Sequence, residues 1–118
     1  MNVKYDEFVK SLTKPLDDQG TLLHGVMGLV SEVGELADTI KRHVFYEHAL
    51  DVGNCREELG DIMFYAFMLM NNLEVSFQQI IGENVAKLSK RYPSGQFSVQ
   101  DATLRADKLT AEDADAVS

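Results

Sequence analysis

The sequence has few of the residues that mark secreted, membrane-embedded or β-rich proteins. Its 118 residues include one cysteine, two prolines and no tryptophan. Cys55 alone cannot form a disulfide within the chain, and the first residues lack the apolar core of a signal peptide, so we predict a cytoplasmic protein. The longest apolar run, residues 62–70, has about half the length of a membrane span. No stretch alternates apolar and polar residues with the period of two that a half-buried strand requires.

Basic residues are also scarce relative to acidic ones. The chain has 11 Lys and Arg against 19 Asp and Glu, a formal net charge of −8. Nucleic-acid binding depends on basic side chains that displace condensed counterions, so a nucleic acid is not the expected partner. A phosphate-bearing small molecule remains compatible with this charge, because acidic side chains that collect metal ions reverse the local field.

Four stretches with helical periodicity predict an all-α fold of the four-helix-bundle type. Their expected limits are Tyr5 to Leu12, Thr21 as a cap to Val44, Asn54 to Leu73, and Ser76 as a cap to Tyr92. Residues 101–108 are expected to form one or two helical turns, followed by an acidic tail. We therefore predict one helical domain over residues 1–97 and a short helix with a flexible tail over residues 98–118.

The third predicted helix is apolar on nearly all sides after Asp61. A helix of this kind is normally buried all round, and a chain of 118 residues has little else to cover it. We therefore expect a second subunit to supply part of the cover, so that the bundle is completed by homo-oligomerisation.

The second helix carries two acids, Glu32 and Glu35, on neighbouring positions of one side. If Val33 is the centre of its apolar stripe, Glu32 lies about 100° and Glu35 about 160° from that centre, at 100° per residue. They are then at the edge of the core face. Two solvated acids would give the same pattern, so this pair alone is weak evidence for a site.

The third helix carries Glu58 and Asp61 within its apolar surface. If Ile62 is the centre of that surface, Glu58 lies only about 40° away and Asp61 about 100° away. A buried carboxylate is normally paired or bound to a metal, because its desolvation costs several kcal/mol. Since neither cluster contains a basic residue, a divalent cation is the expected partner of all four carboxylates.

Oxygen ligands favour Mg²⁺, with Mn²⁺ as the alternative. Zinc is disfavoured because Cys55 and the three histidines show none of the usual zinc spacings. The di-iron bundle pattern, which needs Glu-x-x-His on two helices, is also absent at Glu32 and Glu58.

These acidic pairs resemble a known family. Glu32-x-x-Glu35, followed by Glu58-x-x-Asp61 and by the downstream segment from Asn84 to Pro93, resembles the MazG-like, all-α nucleoside triphosphate pyrophosphohydrolases. The resemblance covers about residues 21–97. It implies a dimer or a dimer-of-dimers tetramer and a role in nucleotide-pool house-cleaning.

The fourth helix presents several polar groups on one face. Asn84, Lys87 and Arg91 lie within about 60° of one another, which suits a chain of phosphates and equally suits cations solvated at a helix C-terminus. The resemblance implies that Lys87 and Arg91 bind phosphate, with Asn84 and Tyr92 close to the triphosphate.

Two residues are weaker candidates for contact with the nucleoside. His24 lies on the same side of the second helix as Glu32, and Tyr65 is one of the few aromatics near the acids, although both residue types are more often structural. Lys41 and Arg42 end the second helix, where cations complement the helix dipole or pair with Asp38. The lack of tryptophan leaves the base preference open.

The predicted function is Mg²⁺-dependent hydrolysis of a nucleoside triphosphate at the α–β bond, which yields the monophosphate and pyrophosphate. Glu32, Glu35, Glu58 and Asp61 are the expected metal ligands, and Glu35 is also the expected catalytic residue that orients or deprotonates water. The alternatives are a non-catalytic helical oligomer and a related enzyme with a dUTPase-like or phosphoribosyl-ATP-like substrate.

Overall fold

The computed structural model describes residues 4–110, which are helical with no strand in that range. The helices are α1 (Tyr5–Leu12), α2 (Asp18–Phe45), α3 (Val52–Asn72), α4 (Phe77–Arg91) and α5 (Val99–Leu104), followed by a 3₁₀ turn (Ala106–Lys108). The all-α prediction is therefore confirmed. The chain divides into two compact units between Ser76 and Phe77. None of the helices within residues 4–110 combines the length and apolar character needed to cross a bilayer.

In the first unit, α1 packs against α3 and forms a small apolar core. Val9 of α1 is fully buried and lies with Phe67 and Met68 of α3. The ring of Tyr5 meets Phe67 edge to face at a centroid distance of 4.8 Å, an arrangement that aromatic pairs prefer. The side-chain amide of Asn71 donates to the carbonyl oxygen of Asp6 at 2.9 Å and joins the two helices.

Helix α2 begins earlier than its sequence pattern predicts. Asp17 is the N-cap, and its carboxylate accepts a hydrogen bond from the backbone N–H of Gly20 at 2.7 Å. Thr21, the expected cap, is instead a buried residue inside the helix. Asp and Thr are both good caps, but Asp17 also places a negative charge at the positive end of the helix dipole. The prediction of a Thr21 cap was therefore wrong.

Helices α2 and α3 form a hairpin through residues 46–51, and they meet on a face of small and polar residues. Gly25 lies against Leu69 and Gly28 lies against Tyr65. The apolar stripe centred on Val33 does not face α3, and Val33 is 48% exposed. The absence of a side chain at Gly25 and Gly28 lets α3 approach on this side, away from the apolar stripe.

The second unit consists of α4, α5 and the 3₁₀ turn. The Ser98 hydroxyl caps α5 by accepting from the backbone N–H of Asp101 at 3.0 Å. Arg105 then adopts a left-handed conformation with φ 51° and leads the chain into the 3₁₀ turn. The predicted turns over residues 101–108 are thus present with slightly earlier limits. Most of the predicted acidic tail, residues 111–118, lies outside the described residues.

Candidate metal centre

Three of the four predicted metal ligands converge between α2 and α3. Glu32 of α2 and Glu58 and Asp61 of α3 each offer a carboxylate oxygen, and these oxygens all lie within 4.8 Å of one another. Glu58 and Asp61 are three residues apart and so project from the same side of α3. The hairpin brings Glu32 opposite them. The spacing of acids in the sequence therefore corresponds to a cluster in space.

Glu58 is the buried member of the cluster, with 6% of its surface exposed. Its Oε2 atom is buried and has no hydrogen-bond partner among the described residues. The pKa of Glu58 is raised from its ordinary value of 4.5 to about 7. The largest cause is a hydrogen bond to Glu32 that only the protonated carboxyl can donate, followed by burial and by the hydrogen bond and charge of Glu35.

The donor set suits a hard divalent cation. Carboxylate oxygens are the ligands that Mg²⁺ and Mn²⁺ prefer. Within residues 4–110, the ion pairs formed by acidic side chains involve Asp38 and Asp107 and none of the clustered carboxylates. The orphaned oxygen of Glu58 and the unneutralised charge of its neighbours are both satisfied by a cation. The residues present therefore fit a metal ion.

Glu35 lies next to this cluster without belonging to it. Its carboxylate is close enough to Glu58 to raise the pKa of that group, yet it is not among the oxygens that converge within 4.8 Å. The Glu35 side chain is exposed and lines an open cavity shared with Glu58. The structure therefore separates Glu35 from the other three acids by position.

The two predicted nucleoside-binding residues contact each other, with Tyr65 one turn after Asp61 and His24 about two turns before Glu32. The rings of His24 and Tyr65 meet edge to face at a centroid distance of 5.9 Å. The His24 Nδ1 atom is buried and lacks a hydrogen-bond partner within residues 4–110. Tyr65 also lies edge on to Phe64 at 5.3 Å and against Gly28. Its ring is therefore held by neighbours on several sides.

Tyr5 is a neighbour of the site that the sequence patterns did not indicate. Burial raises the pKa of the Tyr5 phenol, and the negative charge of Asp61 raises it further. Since α1 is short and separated from α3 by the whole of α2, no helical spacing connects Tyr5 with Asp61. The closeness of Tyr5 and Asp61 is visible only in the structure, where Tyr5 packs on α3 and the charge of Asp61 acts on its phenol.

The residues predicted to bind phosphate all lie at α4 and its C-terminus. Asn84 and Lys87 are exposed, whereas Arg91 and Tyr92 are half-buried. The Arg91 guanidinium donates from Nε and Nη2 to the two carboxylate oxygens of Asp107, at 2.6 and 3.0 Å. Asp107 is almost completely buried, and this pairing holds its pKa down at about 2. No sequence spacing indicated Asp107 as a partner of Arg91.

Two comparisons with known proteins found a match. Residues 21–96 match the family model described as the MazG nucleotide pyrophosphohydrolase domain. The chain is also 33% identical over 78 residues to the "Gene 37 protein" of Mycobacterium phage L5, a match that covers 63% of this chain and 68% of the phage protein. No solved structure matches at a comparable level of significance. The matched region contains both acidic pairs and the α4 segment, and the chain belongs to the MazG nucleotide pyrophosphohydrolase domain family.

Proposed function

We propose that the protein is a Mg²⁺-dependent nucleoside triphosphate pyrophosphohydrolase that acts in nucleotide-pool house-cleaning in the cytoplasm. The supporting observation is the convergence of Glu32, Glu58 and Asp61 on one point between α2 and α3, in a chain of the MazG family. In the proposed reaction, water adds across the bond between the α and β phosphates. The products are a nucleoside monophosphate and pyrophosphate.

The four acids take different roles in this proposal. Glu32, Glu58 and Asp61 hold the cation, which is Mg²⁺ with Mn²⁺ as the alternative. The bound ion would neutralise phosphate charge and lower the pKa of a water ligand. Glu35 orients the attacking water and accepts its proton, because its carboxylate is exposed and lies beside the cluster. We therefore assign Glu35 as the catalytic residue. We also keep it as a fourth ligand of the metal, secondary to the other three.

Substrate binding is proposed for two further groups of residues. The α4 segment supplies Asn84, Lys87, Arg91 and Tyr92 as phosphate ligands. For Arg91 this means that a phosphate would bind the donors that Asp107 leaves over, since Asp107 takes Nε and Nη2. His24 and Tyr65 are proposed to contact the nucleoside.

The direct test is incubation of the purified protein with a panel of nucleoside triphosphates. We expect pyrophosphate and the monophosphate to accumulate in equal amounts when Mg²⁺ is present. Chelation of the metal should abolish turnover, because the carboxylates would then repel the polyphosphate. Pyrophosphate and phosphate must be assayed separately. Phosphate without pyrophosphate would indicate another cleavage site, and no turnover of any nucleotide would favour the non-catalytic helical oligomer.

We also propose that the chain forms a homo-oligomer, either a dimer or a tetramer. The exposed side of α2 carries an apolar groove lined by Val33, Leu36, Ala37, Ile40, Val44 and Phe45. Several of these side chains are more exposed than is usual for large apolar residues, with Phe45 at 74%. Burial of this groove by a second copy would remove it from water. Light scattering should give a mass of at least twice 13.2 kDa. A monomer at all concentrations would contradict the proposal.

A further inference from the structure

A polar cavity adjoins the metal centre. It has a volume of about 580 Å³ and is bounded by Glu35 and Glu58 at the carboxylate cluster. The remainder is lined by Ser31, Gly34, Asp38, Thr39, Arg42 and Asn54. On the other side of the cluster, α2 and α3 are in close contact where Tyr65 covers the backbone of Gly28. Among the described residues, the cavity therefore offers room for a ligand beside Glu58.

Helical register orders the residues of this cavity. Glu35, Thr39 and Arg42 are at positions i, i+4 and i+7 of α2 and so share one face. Arg42 lies about 10 Å beyond Glu35 along the helix axis, at 1.5 Å per residue. The side-chain amide of Asn54 on α3 donates to the Thr39 hydroxyl and so joins the two walls halfway along. The second N–H of that amide remains a further donor.

Arg42 is the only cation among the described residues that line the cavity. Its Nη2 atom lies 3.2 Å from Asp38, and its side chain is 50% exposed. Lys41 contacts the other oxygen of the same carboxylate at 3.4 Å. Asp38 therefore keeps a cationic partner if the Arg42 guanidinium turns towards a ligand. The planar guanidinium is suited to two parallel hydrogen bonds to a phosphate.

We propose that this cavity receives the two terminal phosphates of the triphosphate, with Arg42 as a cationic ligand in addition to the residues proposed on α4. This inference rests on the proposed function and adds the orientation of the triphosphate relative to α2. The phosphate tail extends from the carboxylates towards the C-terminus of α2. Because Glu35, Asp38 and Glu58 also line the cavity, a polyphosphate enters only together with Mg²⁺.

The test compares Arg42→Met with Lys41→Met. Each substitution removes one of the two cations that contact Asp38, but Lys41 lines the apolar groove of α2 and not the cavity. The affinities for pyrophosphate and for the monophosphate product are measured by calorimetry in the presence of Mg²⁺. We expect Arg42→Met to weaken pyrophosphate binding by about tenfold or more, which corresponds to at least ~1.4 kcal/mol. Lys41→Met should change it by less than about twofold, and neither variant should alter monophosphate binding or the affinity for Mg²⁺ alone.

The outcomes distinguish this inference from the proposed function. Equal losses in both variants, or no pyrophosphate binding by the unmodified protein with Mg²⁺, would overturn the inference while hydrolysis of a triphosphate could still be observed. Loss of monophosphate binding in Arg42→Met would place the monophosphate, and not the pyrophosphate, in the cavity. That result would also overturn the inference. If no triphosphate is hydrolysed but pyrophosphate binding still depends on Arg42, the proposed function fails and the polyphosphate site stands.

Discussion

Replacement of Glu58 by glutamine is expected to abolish hydrolysis and, at the same time, to raise the melting temperature of the metal-free protein at neutral pH. The glutamine side chain has nearly the same shape, carries no charge and can donate to Glu32. It therefore keeps the packing of α3 and the hydrogen bond to Glu32, while it removes the buried negative charge that Glu35 and Glu32 repel. It also removes one of the three carboxylates that converge on the candidate metal position.

The pH dependence of stability follows from the direction of the pKa shift. The carboxyl of Glu58 has its ordinary pKa of 4.5 when the chain is unfolded and a pKa of about 7 when it is folded. Below pH 4.5 the carboxyl is protonated in both states, so it does not lower the free energy of unfolding. As the pH rises from there to about 7, the unfolded chain loses the proton first, so the folded state loses stability throughout this window and is least stable above it.

Thermal melts at a series of pH values would check this prediction. The metal-free protein should melt at a lower temperature near pH ~8 than near pH ~5, and Mg²⁺ should restore the loss at the higher pH. In Glu58→Gln, both effects should largely disappear. Glu57→Gln is the matched control, because Glu57 is its exposed neighbour on α3 and does not belong to the cluster. Unfolding of Glu58→Gln at all pH values, or an undiminished Mg²⁺ effect, would show that Glu58 has a structural role.

Replacement of Gly28 by alanine is expected to weaken Mg²⁺ binding and to destabilise the fold. A Cβ at this position would overlap three atoms of the Tyr65 ring. The ring cannot simply turn away, because His24 and Phe64 pack against it. The two helices must therefore separate, which moves Glu32 away from Glu58 and Asp61. Overpacking of this kind costs about 1–3 kcal/mol, against a gain of up to ~1 kcal/mol in helix propensity.

Gly34→Ala provides the control for Gly28→Ala. Both glycines lie in α2, but a Cβ at Gly34 would have no atom within 4 Å. Only the gain in helix propensity remains there, so Gly34→Ala should raise the free energy of unfolding by up to ~1 kcal/mol and leave Mg²⁺ affinity unchanged. Urea denaturation and Mg²⁺ titration of both variants give the comparison. Equal stabilisation by the two substitutions would mean that Tyr65 yields without displacing α3.

The sequence predicted helices where their signals are local. The limits of α1 agree with its pattern, since Pro15 and the turn after it restrict where the helix can end. The apolar stripe of α2 did not identify the face that meets α3. Close approach depends on Gly25 and Gly28, and a rule based on hydrophobic periodicity gives glycine no weight. The sequence shows the apolar stripe of α2, but it does not show which surface packs against that stripe.

The same distinction applies to the candidate site. Glu58 and Asp61 could be identified because charged residues within an apolar surface conflict with their surroundings, and that conflict is readable along one helix. Arg42 could also have been found, as it lies seven residues after Glu35 on the same face. The contacts of Asp107 with Arg91 and of Tyr5 with Asp61 join separate elements. No periodicity within a single helix encodes such pairs.

The hairpin of α2 and α3 has a consequence for the order of folding. All four acids lie between residues 32 and 61, so the candidate metal centre is assembled from neighbouring segments joined by the short connection at residues 46–51. Contacts between consecutive helices close shorter loops than contacts between distant elements, and these contacts lie within the first unit, which ends at Ser76. The carboxylates therefore meet at an early stage, when few other contacts oppose their repulsion. Protons or divalent cations should accelerate this pairing, so that ionic conditions during synthesis influence the yield of folded protein.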